Sequence, residues 1–168
     1  MGRSDRRTIT TTLWFDGRTE EAAELYVSVF AGSRVVEVSR YPDGFVDPGS
    51  GADRSGAVAT VELEVAGTPL VLLDGGPAFP QTPAVSLSVA CADQAEVDRV
   101  WTALLDGGGQ ESRCGWLTDR FGVSWQVVPD ALEELRTAAD PGRASRAFQA
   151  MLGMGKIDVA ELYRAADG

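Results

Sequence analysis

A chain of 168 residues with 15 Lys+Arg, 25 Asp+Glu, a net charge of −10, two cysteines and no histidine has the size of one domain, or of two half-domains sharing a core. The missing histidine removes Ser-His-Asp and Cys-His catalysis, His-bound zinc and an imidazole base, and Lys156, the single lysine, leaves little scope for Schiff-base chemistry. The acidic balance opposes a nucleic-acid partner, and no run approaches the ~18 apolar residues of a membrane helix.

Residues 8–16 (TITTTLWFD) alternate with period two and predict a strand, with Ile9, Leu13 and Phe15 on one face and Thr10, Thr12 and Trp14 on the other. Ala22, Leu25, Tyr26, Val29 and Phe30 fall at helical spacing behind Glu20 and Glu21, so 19–30 predicts a helix stopped at Gly32. Strand character returns at 34–41. Residues 42–56 hold four Gly, two Pro, three Asp and two Ser, the composition of a long loop that is either a lid or simply mobile. Residues 57–65 and 69–74 then form a hairpin about Gly67-Thr68.

The pattern restarts with a strand at 84–91, a capping-box-like Asp93-Gln-Ala-Glu96, and a helix carrying Val97, Val100, Trp101, Leu104 and Leu105 that ends at Gly107. Strands at 111–117 and 123–128 follow. A βαβββ unit therefore occurs twice, at 8–75 and 84–128, after a flexible 1–7 and before C-terminal helices in 129–168, all read as one structural domain. The expected fold class is α+β. Cys91 and Cys114 make neither a disulfide framework nor a metal-ligand pair, and no signal-peptide pattern opens the chain, so reduced thiols in a cytoplasmic protein are expected.

The block Cys114-Gly-Trp-Leu-Thr-Asp-Arg-Phe-Gly-Val-Ser-Trp-Gln-Val-Val-Pro129 resembles the PhnB-like branch of the vicinal oxygen chelate superfamily, which includes glyoxalase I and bleomycin-resistance proteins. Leu13-Trp-Phe-Asp-Gly17, Tyr26 with Phe30, Ala84-Val-Ser-Leu-Ser-Val89 and Ala150-Met-Leu-Gly-Met-Gly-Lys-Ile-Asp158 resemble the same branch, so the likeness spans 8–162. It implies paired βαβββ modules (the glyoxalase-like fold), a cup-shaped cavity and homodimers. Metal-dependent superfamily members carry His or Glu ligands on the first and last strands of each module. Those places map near Thr10, Leu72, Ala84 and Gln126, of which only Gln126 offers even a weak oxygen, so neither a metal nor any other cofactor is expected.

The branch often carries the description 3-demethylubiquinone-9 3-methyltransferase, yet a Rossmann-type nucleotide site needs a Gly-rich turn that opens a helix. Of the two Leu-Leu-Asp-Gly-Gly copies, 72–76 leads into Pro77 and 104–108 ends a helix.

Within the implied cup, Thr10, Thr12, Trp14, Ser86, Ser88, Ser124 and Gln126 form a polar, uncharged floor with an aromatic wall. Such a surface suits a small organic ligand, unless the protein's own side chains fill it. Trp116 is placed either in that wall or in the core, and Trp125 reads as core beside Val123 and Val127. Glu62, with Glu64, is either a carboxylate acid–base pair or a solvated strand face. Cys114 is expected on the Trp116 side of its strand and Cys91 on the apolar side, both structural, while Asp16 and Asp119 read as turn residues. Tyr41, Pro42, Asp43 and Phe45 belong either to a mobile cover or to a disordered loop. The expected function is metal-independent binding of a small molecule by a homodimer, for example for sequestration. A carboxylate-dependent enzyme and a pure interaction module are the alternatives.

Overall fold

The computed structural model describes residues 9–168, so the expected flexible 1–7 and the start of the first strand at Thr8 lie outside the described residues. The chain divides into two compact units, one ending at Pro80 and the other Gln81–Gly168.

The first unit runs β1 (Thr11–Phe15), α1 (Thr19–Val29), β2 (Arg34–Arg40), β3 (Val58–Val65) and β4 (Thr68–Asp74). Its sheet has the order β1-β4-β3-β2, with β1 parallel to β4 and the other pairs antiparallel. Alternation sends Leu13, Phe15, Val61, Leu63, Val65, Leu70 and Leu72 to one face, where they are buried, and α1 supplies buried Ala22, Ala23, Tyr26 and Val29. Glu20 and Glu21 sit in the first turn of α1, where carboxylates favour the helix dipole. Ile9 departs from expectation: it precedes β1 and is fully exposed. Register explains this, because Thr11 pairs with Leu70 and the residue preceding Leu70 is Pro69, which has no N–H to extend the ladder.

The second unit repeats the order with β5 (Leu87–Cys91), α2 (Gln94–Leu105), β6 (Gln110–Glu111), β7 (Trp116–Thr118) and β8 (Ser124–Pro129), in a sheet of order β5-β8-β7-β6. The predicted capping box forms, with Asp93 Oδ1 accepting from Glu96 N at 2.9 Å and Glu96 Oε2 accepting from Ala92 N at 2.8 Å. Cys91, Leu117, Trp125 and Val127 are buried along with Val97, Val100, Trp101 and Leu104 of α2.

The expected strand over 111–117 is broken into β6 and β7 by a turn at residues 112–115. There Cys114 adopts φ 58° and Gly115 φ 79°, neither compatible with a strand, so Cys114 does not share the Trp116 face. Instead, its N–H donates to Met154 O at 2.8 Å and Gly115 N to Gly155 O at 2.8 Å. A Cβ on Gly115 would lie 2.8 Å from Val127 O and 2.9 Å from Ile157 Cδ1, so only glycine fits this approach.

That turn anchors α3 (Asp130–Arg136), α4 (Pro141–Leu152) and α5 (Val159–Asp167). These helices bury Leu135, Ala147, Met151, Ile157, Leu162 and Ala166 in a cluster of their own. Gln94 ties the cluster to α2: its Oε1 accepts from Val159 N at 2.8 Å and its Nε2 donates to Ile157 O at 3.3 Å, beside an ion pair of Lys156 with Asp98. The fold is the expected α+β arrangement of two βαβββ modules with C-terminal helices.

Candidate functional site

Each sheet has one face buried under its own helix, and the opposite face carries the chemistry. In the first unit Thr12 pairs with Val71, which pairs with Glu62, and Trp14 pairs with Leu73, which pairs with Thr60. Across β2, Glu37 pairs with Glu62 and Ser39 with Thr60, the last two joined by a hydroxyl–hydroxyl bond of 2.8 Å. This face is therefore hydroxyl and carboxylate at β2–β3, aliphatic at β4 and aromatic at β1. The exposed Thr10 lies just before β1. Glu64, paired with Glu62 in the sequence reading, is instead held by Arg34 at 2.8 Å.

Trp14 is braced rather than free-standing. Its indole N–H donates to Gly76 O at 2.7 Å, Phe79 meets its ring edge-on at 4.9 Å, and a Cβ on Gly75 would come within 2.2 Å of the indole. Gly75 and Gly76 of the first Leu-Leu-Asp-Gly-Gly copy thus seat an aromatic ring and do not open a helix.

Asp74 of the same copy is a further centre that the sequence reading missed. Buried at 7% exposure, it accepts from Gly17 N at 3.1 Å and pairs with Arg54 at 2.7 Å. Tyr41 donates its hydroxyl proton to Asp74 O at 2.9 Å, stacks on Phe45 with centroids 4.5 Å apart, and lies under the Arg54 guanidinium at 4.8 Å. The hydrogen bond to Asp74 raises the Arg54 pKa above its ordinary value, keeping the guanidinium charged. Residues 42–56 are therefore latched onto the end of β4 through Arg54, and a bridge between Val46 and Asp53 gives the loop internal order. Residues 20 positions apart carry no sequence signal for such a pair.

In the second unit Ser88 and Trp116 both pair with Gln126 on β8, and Thr118 pairs with Ser124. Gln126 Nε2 donates to Ser86 Oγ at 2.8 Å, which aligns the amide along the sheet. Ser86, Ser88, Gln126 and Trp116 thus share one face, with Ser88 exposed and the other three half-buried. Ser124 differs: it is 2% exposed, and its Oγ has no hydrogen-bond partner among the described residues. Trp125 is core at 1% exposure, with Nε1 donating to Asp119 Oδ2 at 2.9 Å.

The metal expectation can be tested on donor chemistry. Leu72, one of the four mapped ligand places, lies on the buried helix-side face paired with Leu13 and Val61, so that mapping is corrected; its open-face neighbours Val71 and Leu73 are aliphatic too. No group of three or more His, Cys, Asp or Glu side chains is placed to hold a metal ion among the described residues. The residues at the mapped places, Thr10, Leu72, Ala84 and Gln126, do not make the donor set that a divalent metal ion needs. Cys91 is inert as well, because burial first and the Glu96 charge second push its thiol up to about 11. No helix among the described residues is long and apolar enough to cross a membrane.

No functionally curated protein matches the chain. The solved structures similar to the chain include a PhnB protein from Bacillus cereus bearing the methyltransferase description, 32% identical over 73% of this chain and 99% of its own with a TM-score of 0.62, and protein PA1353 from Pseudomonas aeruginosa, 28% identical over 74% and 98% with a TM-score of 0.57. The family model described as 3-demethylubiquinone-9 3-methyltransferase matches residues 7–128, both βαβββ modules but none of the C-terminal helices. The chain belongs to this 3-demethylubiquinone-9 3-methyltransferase family, in the PhnB-like branch of the glyoxalase-like fold.

Proposed function

We propose that the protein binds a small, neutral or aromatic organic molecule on the open face of a sheet, without a metal. The observation that carries this reading is the row Ser86, Gln126 and Ser88, an uncharged hydrogen-bonding strip with Trp116 beside it, set on a sheet whose other face buries Cys91, Leu117, Trp125 and Val127. Thr12, Trp14 and Thr60 give the first unit hydroxyl and aromatic groups on one face too, there beside the carboxylates of Glu37 and Glu62. A methyl transfer is not proposed, since both Gly-rich copies serve turns and helix ends. Binding by a cytoplasmic homodimer, free of nucleic acid, is the form we infer; exposed Val35, Val36 and Val38 on the edge strand β2 support self-association. Sedimentation of the purified protein at a dimer mass would agree, and a monomer at all concentrations would remove that part.

The test is a thermal-stabilisation screen with small neutral aromatic compounds. A true ligand at 100 times its dissociation constant adds about 2.7 kcal/mol. Thr12→Lys and Ser88→Lys change exposed positions, so each should keep the fold, and whichever face carries the site loses the stabilisation. Stabilisation that survives both substitutions would refute the reading.

A metal-free enzyme is the second reading, favoured by Glu37 facing Glu62 in register on one sheet face, since adjacent carboxylates can divide acid and base roles. Glu62→Gln should then abolish turnover while leaving affinity within a few-fold.

A further inference from the structure

The C-terminal helices lie beyond the family match, which ends at residue 128, and the similar structures are covered almost completely by about three quarters of this chain. They contain a feature that the small-molecule reading of the sheets does not use. Between α3 and α4, at the edge of the helical cluster that supplies its Ala147 and Met151, is a cavity of about 320 Å³ walled also by Leu132, Ala144 and Phe148, with Ser145 and Arg136 as its polar members. Its volume lies at the lower end of the ~300–1,000 Å³ range of ligand pockets. Phe148, on its wall, remains 51% exposed, so its ring is accessible from solvent at the mouth of the cavity.

Charge identifies the kind of molecule that fits. The chain carries −10 overall, yet α4 contains Arg143 and Arg146 and no Asp or Glu. Arg136 is the only charged side chain on the cavity wall. Its existing partner is Glu133, three residues back on the same helix, in a pair whose side chains are 66% and 61% exposed. Glu133 holds the guanidinium at two points, Nε to Oε2 at 2.7 Å and Nη2 to Oε1 at 2.6 Å, but in full contact with solvent, which screens the pair, so a ligand carboxylate lying against the apolar wall can exchange for it. A guanidinium offers two parallel N–H donors, which match a carboxylate better than a hydroxyl or an ester.

We propose that this cavity binds an amphiphilic monocarboxylate, a medium-length acyl or aryl acid, with its apolar body against Phe148 and Met151 and its carboxylate on Arg136. The site is separate from the sheet faces and does not depend on the function proposed for them.

Decanoate is the probe, with decanol as the uncharged comparator, measured by calorimetry on the full chain and by the methyl resonance of Met151. Decanoate should bind about tenfold more tightly than decanol, as one charge-assisted pair implies. Arg136→Met, which keeps the apolar stem, should abolish that preference. Glu133→Gln should strengthen decanoate binding a few-fold by freeing Arg136. Ala144→Phe, at a half-buried position, should block both probes by filling the cavity, and Ser145→Phe, at an exposed position on the same wall, repeats that test if the first variant fails to fold. Equal binding of decanoate and decanol would overturn the proposal. So would decanoate binding that leaves Met151 unshifted, or no decanoate binding below about 1 mM, which is a free energy of about −4.1 kcal/mol.

Discussion

Asp119 is 3% exposed, and one carboxylate oxygen accepts from Phe121 N at 2.9 Å and Val123 N at 3.0 Å while the other takes the Trp125 indole proton at 2.9 Å. Three donors converge on one side chain, so the turn from β7 to β8 is closed by Asp119 and the largest core residue of the unit is oriented by it. Asp119→Asn preserves shape but sets an amide N–H₂ against at least one of those donors. Leaving a buried donor unpaired costs about 1–3 kcal/mol, and Asp119→Asn should lower the urea midpoint accordingly, with a change in Trp fluorescence as Trp125 loses its partner. Cys91 makes a second prediction at this scale. Its thiol is raised from 9.0 to about 11 by burial, so the folded protein holds that proton more tightly than the unfolded chain. The stabilisation is complete below about pH 9 and is lost as pH rises through about 11, a fall of order 2 kcal/mol. Cys91→Ala should flatten that alkaline decline, and native Cys91 should resist alkylation at pH 8.5; rapid labelling of Cys91 there would contradict the assignment.

At the scale of elements, the strands and helices were legible because each buries one face, and burial writes period two or 3.6 into the chain. Leu13 and Phe15 of β1 and Tyr26 of α1 are where the pattern puts them. The pattern failed where backbone conformation, not burial, decides. Residues 112–115 look like strand because Cys114 and Trp116 flank a single glycine, yet the left-handed Cys114-Gly115 pair turns the chain toward Met154 and Gly155. The sheet faces of the candidate site followed from alternation, and Ser88, Gln126 and Trp116 do share one. What alternation cannot give is the distant partner that uses up a side chain: Gly76 for Trp14, Arg34 for Glu64, Arg54 for Asp74. The last of these pairs sets the behaviour of the 42–56 loop. Arg54 and Asp74 side chains are only 15% and 10% exposed, and removing one member of such a pair leaves the other short of a charged partner. Arg54→Met should cost roughly 2–4 kcal/mol and open the loop to proteolysis near Gly49–Gly51, while Gly17 N–H still holds Asp74. Unchanged cleavage in that variant would mean that the Tyr41–Phe45 stack alone latches the loop. Gly75→Ala acts one residue past that latch: its Cβ falls 2.2 Å from the Trp14 ring, so the indole must leave its seat and its fluorescence should shift.

For the whole molecule, charge makes two opposing contributions to stability as pH falls, and their sum is measurable. With 25 acidic and 15 basic residues, self-repulsion weakens as carboxylates protonate toward the sequence pI of about 4.4, which favours the compact state. Against this, several carboxylates are held below their ordinary values by partners in the folded chain. Backbone and hydroxyl hydrogen bonds from Ser50 lower Asp47, those from Ser55 lower Asp53, Lys156 lowers Asp98, and Arg136 lowers Glu133. Because each folded pKa is depressed, its contribution is present above the unfolded values of 3.8 and 4.5 and disappears as pH drops through the folded ones. Stability should therefore hold or rise slightly from pH 7 to about 5 and then fall below about 4. Salt separates the two kinds of partner. The Lys156–Asp98 and Arg136–Glu133 pairs are exposed to solvent and screened within a Debye length of about 3 Å at 1 M, whereas the short turns at Asp47 and Asp53 keep their hydrogen bonds. Urea midpoints taken across this range at low and high salt should show the acid decline reduced, not abolished, by salt, and Asp47→Ala with Asp53→Ala should remove most of what remains. A midpoint that stays level to pH 3 would mean that relief of the chain's own negative charge offsets every turn and ion pair these carboxylates make.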